Sequence, residues 1–336
     1  VSFLLAAGSA LDDLPGGFWV ALVAKTLIVL IFFLTVPLLV GYMEHKVLAH
    51  MQARMGPMEA GSFHGWAQLV ADGVKFIQKE DVVPEAADRA VFSLAPAVAL
   101  IPYLAILLVI PFGADLYPLN LDVGIFFVLA MSSVSVIGIL MAGWSSANKF
   151  SLIGALRAAA QLIAYELPLV LAAAGVVMLA GTLSLVGIVE AQQDLWNVIP
   201  LFPLFVIFIV ASLAELNRPP FDMPIADSEI IFGAFTEYTG LKFAFFLLSE
   251  YAGIVALAAI ASVLFLGGYL GLPFIPLPGW MWMAGKIALA SFFVVWLRAT
   301  FPRLREDQLQ RFAWLTLVPV SLVWILGVAF FRVATR

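Results

Sequence analysis

Residues 158–181 read AAAQLIAYELPLVLAAAGVVMLAG, an apolar run interrupted by Gln161 and Glu166. As a helix rising about 1.5 Å per residue it covers roughly 36 Å, more than the roughly 30 Å hydrocarbon core of a bilayer. Lipid offers backbone N–H and C=O groups no partners, so such a run must pair them internally, and its length is about twice that of a barrel strand. Working outward, runs of the same kind lie at 18–43, 90–113, 123–143, 195–214, 243–271, 280–297 and 312–331. Together they predict an all-α integral membrane protein with about eight transmembrane helices, a single membrane domain over 1–336. The composition agrees: 63% of residues are hydrophobic and 12% charged, with mean hydropathy +1.07, against about a quarter charged in soluble domains.

Basic residues set an orientation. The inward loops hold Lys46, Arg54, Lys75, Lys79, Arg89, Lys149, Arg157, Arg218, Lys242, Arg298, Arg303, Arg305 and Arg311, most of the 17 Lys and Arg, while the opposite loops carry acids such as Asp115, Asp122, Glu190 and Asp194. Both termini are expected outside, with long polar loops in the cytoplasm. The first span is too long for a removable signal peptide. In HGWAQLVADGVKFIQK, Trp66, Leu69, Val70, Val74 and Ile77 share one face. That stripe predicts an amphipathic helix, lying in the membrane surface or packed on its own protein. There is no cysteine, so no ordinary iron–sulfur cluster is held here, and the 3 histidines all lie in or beside the first inward loop. No phosphate-binding glycine motif, metalloprotease helix, metal site or nucleic-acid signature is present.

The acids are the anomaly. Glu166 lies well inside its span, where an ionised carboxylate costs about 3 kcal/mol or more; it must face water, pair with a base, or be protonated. Pro168 follows two residues later, and Arg157 and Gln161 precede it towards the inward end. Glu250 lies inside the span at 243–271. Between them, ELNRPPFDMPIADSEIIFGAFTE (215–237) supplies Glu215, Asp222, Asp227, Glu229 and Glu237 together with Arg218. Its prolines exclude a regular helix. These acids are expected to line a hydrated proton path from the inward loop to the middle of the bilayer; a structural ion pair is the plainer alternative for Glu166, and a solvated loop for Asp222, Asp227 and Glu229.

The stretch continuing to Tyr251 resembles the signature of the H subunit of respiratory complex I, the proton-pumping NADH:quinone oxidoreductase; in mitochondria it is subunit 1. EHKVLAHMQARMGP, LVADGVKFIQKEDVVPEAADRAVFSLAP, GWSSANKFSLIGALRAAAQLIAYELPL and WLRATFPRLREDQL resemble the family's other blocks, in order, across essentially the whole chain. The resemblance implies a membrane subunit of the bacterial plasma membrane that forms part of a quinone chamber and has no activity alone. Quinone would be the substrate, with iron–sulfur clusters and flavin held only by partner subunits. The partners implied are the peripheral quinone-site subunits, the antiporter-like membrane subunits and membrane lipid, with no nucleic acid. It assigns Glu44, Gln52, Arg54, Phe243, Arg298 and Arg303 to the quinone chamber and its entrance. Glu166, Glu215, Asp227, Glu229 and Glu250, with Arg218 and Asp222, fall to the proton-coupling funnel, and Arg305 and Asp307 to the loop facing peripheral subunits.

Departures accompany the match. Ile225 stands where the family's loop has a glutamate, Asp227 is a shorter acid than usual, and His45 and Met58 replace an arginine and an asparagine. The same residues also suit the equivalent subunit of a membrane-bound hydrogenase or deazaflavin-dependent dehydrogenase, a stand-alone proton-coupled transporter, or a structural anchor.

Overall fold

The computed structural model describes residues 17–225, 227–272 and 275–334. Among them the regular structure is helical: α1 Gly17–Met51, α2 Gln68–Gln78, α3 Arg89–Leu107, α4 Gly124–Ser145, α5 Lys149–Ala180, α6 Leu185–Glu190, α7 Phe202–Glu215, α8 Asp227–Ile230, α9 Gly240–Phe265, α10 Gly279–Thr300, α11 Glu306–Phe312 and α12 Val318–Ala334. Seven helices among these residues are long and apolar enough to cross a membrane, with α11 and α12 forming one continuous span through a π-helical turn.

The eighth expected span, 195–214, is where expectation and structure differ. Only the 14 residues of α7 are helical, about 21 Å of rise. Residues before it are held in turns instead. Gln192 Nε2 donates to the Val263 carbonyl at 2.8 Å, Asn197 Nδ2 donates to Leu264 O at 2.8 Å, and Val198 N–H donates to Phe265 O at 2.9 Å. Side-chain amides thus satisfy the last carbonyls of α9, which a helix end leaves without intrahelical partners. Pro203 then starts α7 in its first turn, where a missing N–H costs nothing.

Helix α9 is the centre of the bundle: 61% of its apolar window is buried, against 22% for α1 and 17% for the span containing α12. The outer helices therefore offer apolar faces to lipid or to other chains. Close approach elsewhere depends on small residues, as expected where helices pack without water to drive them. A Cβ on Gly138 would lie 2.5 Å from the Ala99 backbone nitrogen, so α3 and α4 can touch only through glycine. Gly233, at φ +52, sits so close to the Pro224 carbonyl that no side chain fits, which folds the 216–239 loop back on itself.

Chain alternation brings the long loops to one end of the bundle, and their contacts agree. Lys242 pairs with Asp81 at 2.9 Å, Asn148 Nδ2 donates to Glu237 at 2.6 Å, and Leu304 N–H donates to Pro220 O at 3.2 Å. Helix α2 lies at this end with no buried residue. It meets the bundle through Leu69, beside Gly41, and through Phe76, whose ring lies 5.8 Å from that of Phe243. The rest of its apolar stripe, Trp66, Val70, Val74 and Ile77, is exposed.

At the opposite end the buried Lys286 of α10 donates to Leu266 O, Gly268 O and Leu270 O at 2.6, 2.7 and 2.7 Å, and its ammonium stands 4.4 Å from the Trp196 ring. A cation that spends every proton on carbonyls at the end of α9 both caps that helix and offsets its dipole. Lys286→Met should therefore cost about 2 kcal/mol or more and lower the midpoint of thermal unfolding in detergent; an unchanged midpoint would mean that water satisfies these carbonyls equally well.

Candidate functional site

The turn after α7 places the central charge. Gln161, on α5, donates from Nε2 to the carbonyls of Ala214 at 2.6 Å and Phe221 at 2.7 Å. Phe221 N–H donates to Arg218 O at 2.7 Å. This clasp turns the chain inward at Arg218, whose side chain is 1% exposed. The expectation that the proline-rich segment is not a regular helix holds, since it contains only a short 3-10 turn at Met223–Ile225.

Arg218 reaches two acids from distant parts of the chain. Its Nη1 donates to Glu44 Oε2 at 2.6 Å, and its Nε lies 2.8 Å from Glu250 Oε1. The guanidinium carbon stands 5.1 Å from the Tyr251 ring. Arg298 bonds the other oxygen of Glu44, which is 2% exposed. Two carboxylates and two guanidinium groups from α1, the loop, α9 and α10 thus form one near-neutral cluster. Isolated, any of these charges would be too costly to bury.

A second group of acids adjoins the first. Glu250 lines a small cavity with Glu215, Tyr103, Ser135, Ser249 and Ile225. It has about 40 Å³ of water-accessible space, where one water needs roughly 10–15 Å³. Glu215 is 8% exposed, and its Oε1 lacks a partner. Tyr103 and Ser135 share a 3.0 Å hydrogen bond. Glu166, half-buried on α5, accepts a hydrogen bond from Ser133. Its partner is a hydroxyl, so the ion pair considered for it does not form among the described residues. Helix α5 also runs unbroken through Pro168.

Other expected residues stand apart. Glu229 pairs with Arg157 at 2.5 Å near the surface, and that hydrogen bond holds its carboxyl below the usual range. Arg157 also lies 3.5 Å from Glu306. Asp222 pairs with Arg303 at 3.0 Å. The Asp227 side chain lies outside the described residues. Gln52 and Arg54 are exposed beyond α1 and bond each other at 2.7 Å. Phe243 is half-buried between Phe76 and Phe232. Arg305 and Asp307 pair on the exposed loop, and the Arg305 guanidinium lowers the Asp307 carboxyl to about 2. Sequence reasoning missed Ser133, Ser135 and Tyr103; for the serines the signal was the hydroxyl-rich SSVS inside an apolar span.

Comparison with known proteins places the chain. A family profile described as NADH dehydrogenase matches residues 24–329. The chain belongs to this family. Its relatives include the NADH-quinone oxidoreductase H subunit of Geobacillus kaustophilus (strain HTA426), 44% identical over 318 residues, 93% of this chain and 95% of that one. The H subunits of the NADH-quinone oxidoreductases of Brevibacillus brevis (strain 47 / JCM 6285 / NBRC 100599) and Anoxybacillus flavithermus (strain DSM 21510 / WK1) are 46% and 44% identical, over 85% and 88% of this chain and 85% and 89% of theirs. The matched region takes in Glu44, Glu166, Glu215, Arg218, Glu250 and Arg298, so the buried cluster and the cavity lie within the part shared with the NADH dehydrogenase family.

Removing one member of a buried ionic cluster strands the others. Glu44→Ala should cost about 3–5 kcal/mol, and Arg218→Met in that background should add less than it costs alone. A thermal double-mutant cycle on the purified protein reads this directly; strict additivity would show that the two side chains do not interact.

Proposed function

We propose that this chain is the membrane subunit of a proton-translocating NADH-quinone oxidoreductase that encloses part of the quinone headgroup and transmits its reduction to a proton path. The end bearing α2 and the long loops faces the cytoplasm, in a bacterial plasma membrane. There Glu44, Arg298 and Arg303 stand towards the quinone, Gln52 and Arg54 towards its entrance, and Phe243 at the chamber wall. The loop with Arg305 and Asp307 meets the peripheral quinone-site subunits, and the flavin and iron–sulfur clusters lie in partner subunits. The exposed stripe of α2 suits the membrane surface, and the exposed faces of α1 and α12 suit lipid and the antiporter-like subunits.

The observation behind this reading is that a single buried guanidinium holds both Glu44 and Glu250. Negative charge arriving on the Glu44 and Arg298 side competes for Arg218. Glu250 then loses part of its countercharge and takes up a proton from cavity water, since a carboxylate with less opposite charge nearby binds protons more readily. Glu215, across the same cavity, replaces that proton, and Glu166 continues the path. Asp222, Asp227 and Glu229 collect protons at the mouth, with Glu229 in the exposed pair with Arg157.

In proteoliposomes of the assembled complex, Glu215→Gln should lower quinone reduction and proton uptake together by at least about tenfold. Glu229→Gln, at the exposed Arg157 pair, should change both by less than about twofold, as surface pairs contribute little. Unchanged activities in Glu215→Gln would remove it from the path.

A further inference from the structure

An apolar groove of about 860 Å³ runs down the flank of the bundle, between α7, the loop end of α10 and α11. That is within the roughly 300–1,000 Å³ of sites that hold small molecules. On α7 its wall is Phe202, Phe205, Val206, Ile209, Val210 and Leu213, one stripe at helical spacing. Among the described residues Gln308, on α11, is the one polar side chain in the wall. Helices α7 and α10 both pack on α9, and the groove keeps them apart. Its rim is open: Phe202, Val206, Phe293 and Phe301 are all exposed.

Length and charge identify the occupant. From Phe202 to Leu213 is about 17 Å of helix rise, and α10 contributes Phe293 and Leu297, both towards its loop end. Half of a hydrocarbon core of about 30 Å is about 15 Å, the reach of the acyl chains of one leaflet. A membrane-spanning helix of another subunit would need an apolar face about twice as long. The loop end of the groove is also basic. Gln308 and Phe312 line it from α11, and beside them Arg311 is exposed, with no acid paired to it among the described residues. The neighbouring acids are engaged elsewhere, Asp307 by Arg305 and Glu306 by Arg157. An exposed guanidinium where an apolar wall meets the loops is placed for a phosphate, as in basic clefts between transmembrane helices that take anionic headgroups.

We propose that this groove is a binding site for an anionic phospholipid of the leaflet at the loop end, its acyl chains along α7 and its phosphate at Arg311. That leaflet is the cytoplasmic one in the orientation proposed above, and only in this naming does the inference rest on that reading. The chains pack on Pro220 and Phe221, which wall the groove and belong to the turn that carries Arg218. Leu304, another wall residue, donates its N–H to Pro220 O at 3.2 Å. The lipid therefore braces this turn from the membrane side, while Gln161 holds it from α5.

The test uses the assembled complex in nanodiscs, with phosphatidylglycerol or phosphatidylcholine carrying the same photoreactive acyl chain, and mass spectrometry of the labelled peptides. Normalised to total labelling of the complex, phosphatidylglycerol should label α7 and the loop end of α10 about fivefold more than phosphatidylcholine does, and Arg311→Gln should remove that preference. Val206→Trp, which fills the groove from an exposed position, should remove the labelling of these peptides by both lipids. Equal labelling by the two lipids would show bulk lipid only and overturn the site. A preference that survives Arg311→Gln, or labelling undiminished by Val206→Trp, would do the same by placing the headgroup or the chains elsewhere. Wild-type α7 free of label, with the probe attached to another subunit at this face, would assign the groove to a protein helix and overturn it as well.

Discussion

A buried arginine cannot stand alone in a membrane protein, and the pairing of Arg218 organises what surrounds it. Its charge is fixed, because a guanidinium does not deprotonate in proteins, so the fold must bring acids to it. Glu44 comes from the inner end of α1 and Glu250 from the buried face of α9. Arg298 then balances the second oxygen of Glu44. Four segments far apart in the chain are tied at one point, and the clasp of Gln161 on the carbonyls of Ala214 and Phe221 holds the turn that delivers the arginine. Such a cluster adds little net stability compared with an apolar core. Its use is that a change of charge on one acid is felt by the other through a shared cation.

The two ends of the bundle handle buried charge differently. At one end Lys286 gives all its protons to carbonyls, so nothing there is free to respond to a new charge. At the other, Glu250 joins the ionic cluster to a cavity with room for a few waters, and Glu215 keeps one oxygen unbonded beside it. The first arrangement fixes a helix end; the second keeps exchangeable groups in contact with water.

Most of the fold was legible in the sequence because lipid imposes a simple rule: an apolar run of sufficient length must be helical. In the run at 195–214 only the start of the helix was set too early, because hydropathy does not register that Gln192 and Asn197 bond the end of α9, which leaves α7 short. The acids at 166, 215 and 250 were visible for the same reason the helices were, as charges where lipid makes them expensive. Their partners were not. Glu44 and Arg218 are 174 residues apart, and no periodicity links them. Ser133, too, has its partner on another helix, where α5 supplies the Glu166 carboxylate. Asp222 and Glu229 were equally visible as acids, yet arginines pair them apart from the buried cluster.

The central claim is that reduction of the bound quinone changes the protonation of the buried acids through Arg218. The most direct measurement is a redox-induced infrared difference spectrum of the assembled complex, wild type against Glu215→Gln and Arg218→Lys. A carboxyl band that accompanies quinone reduction, vanishes in Glu215→Gln and shifts in Arg218→Lys is the predicted result. A spectrum whose carboxyl region is the same in all three proteins would contradict it.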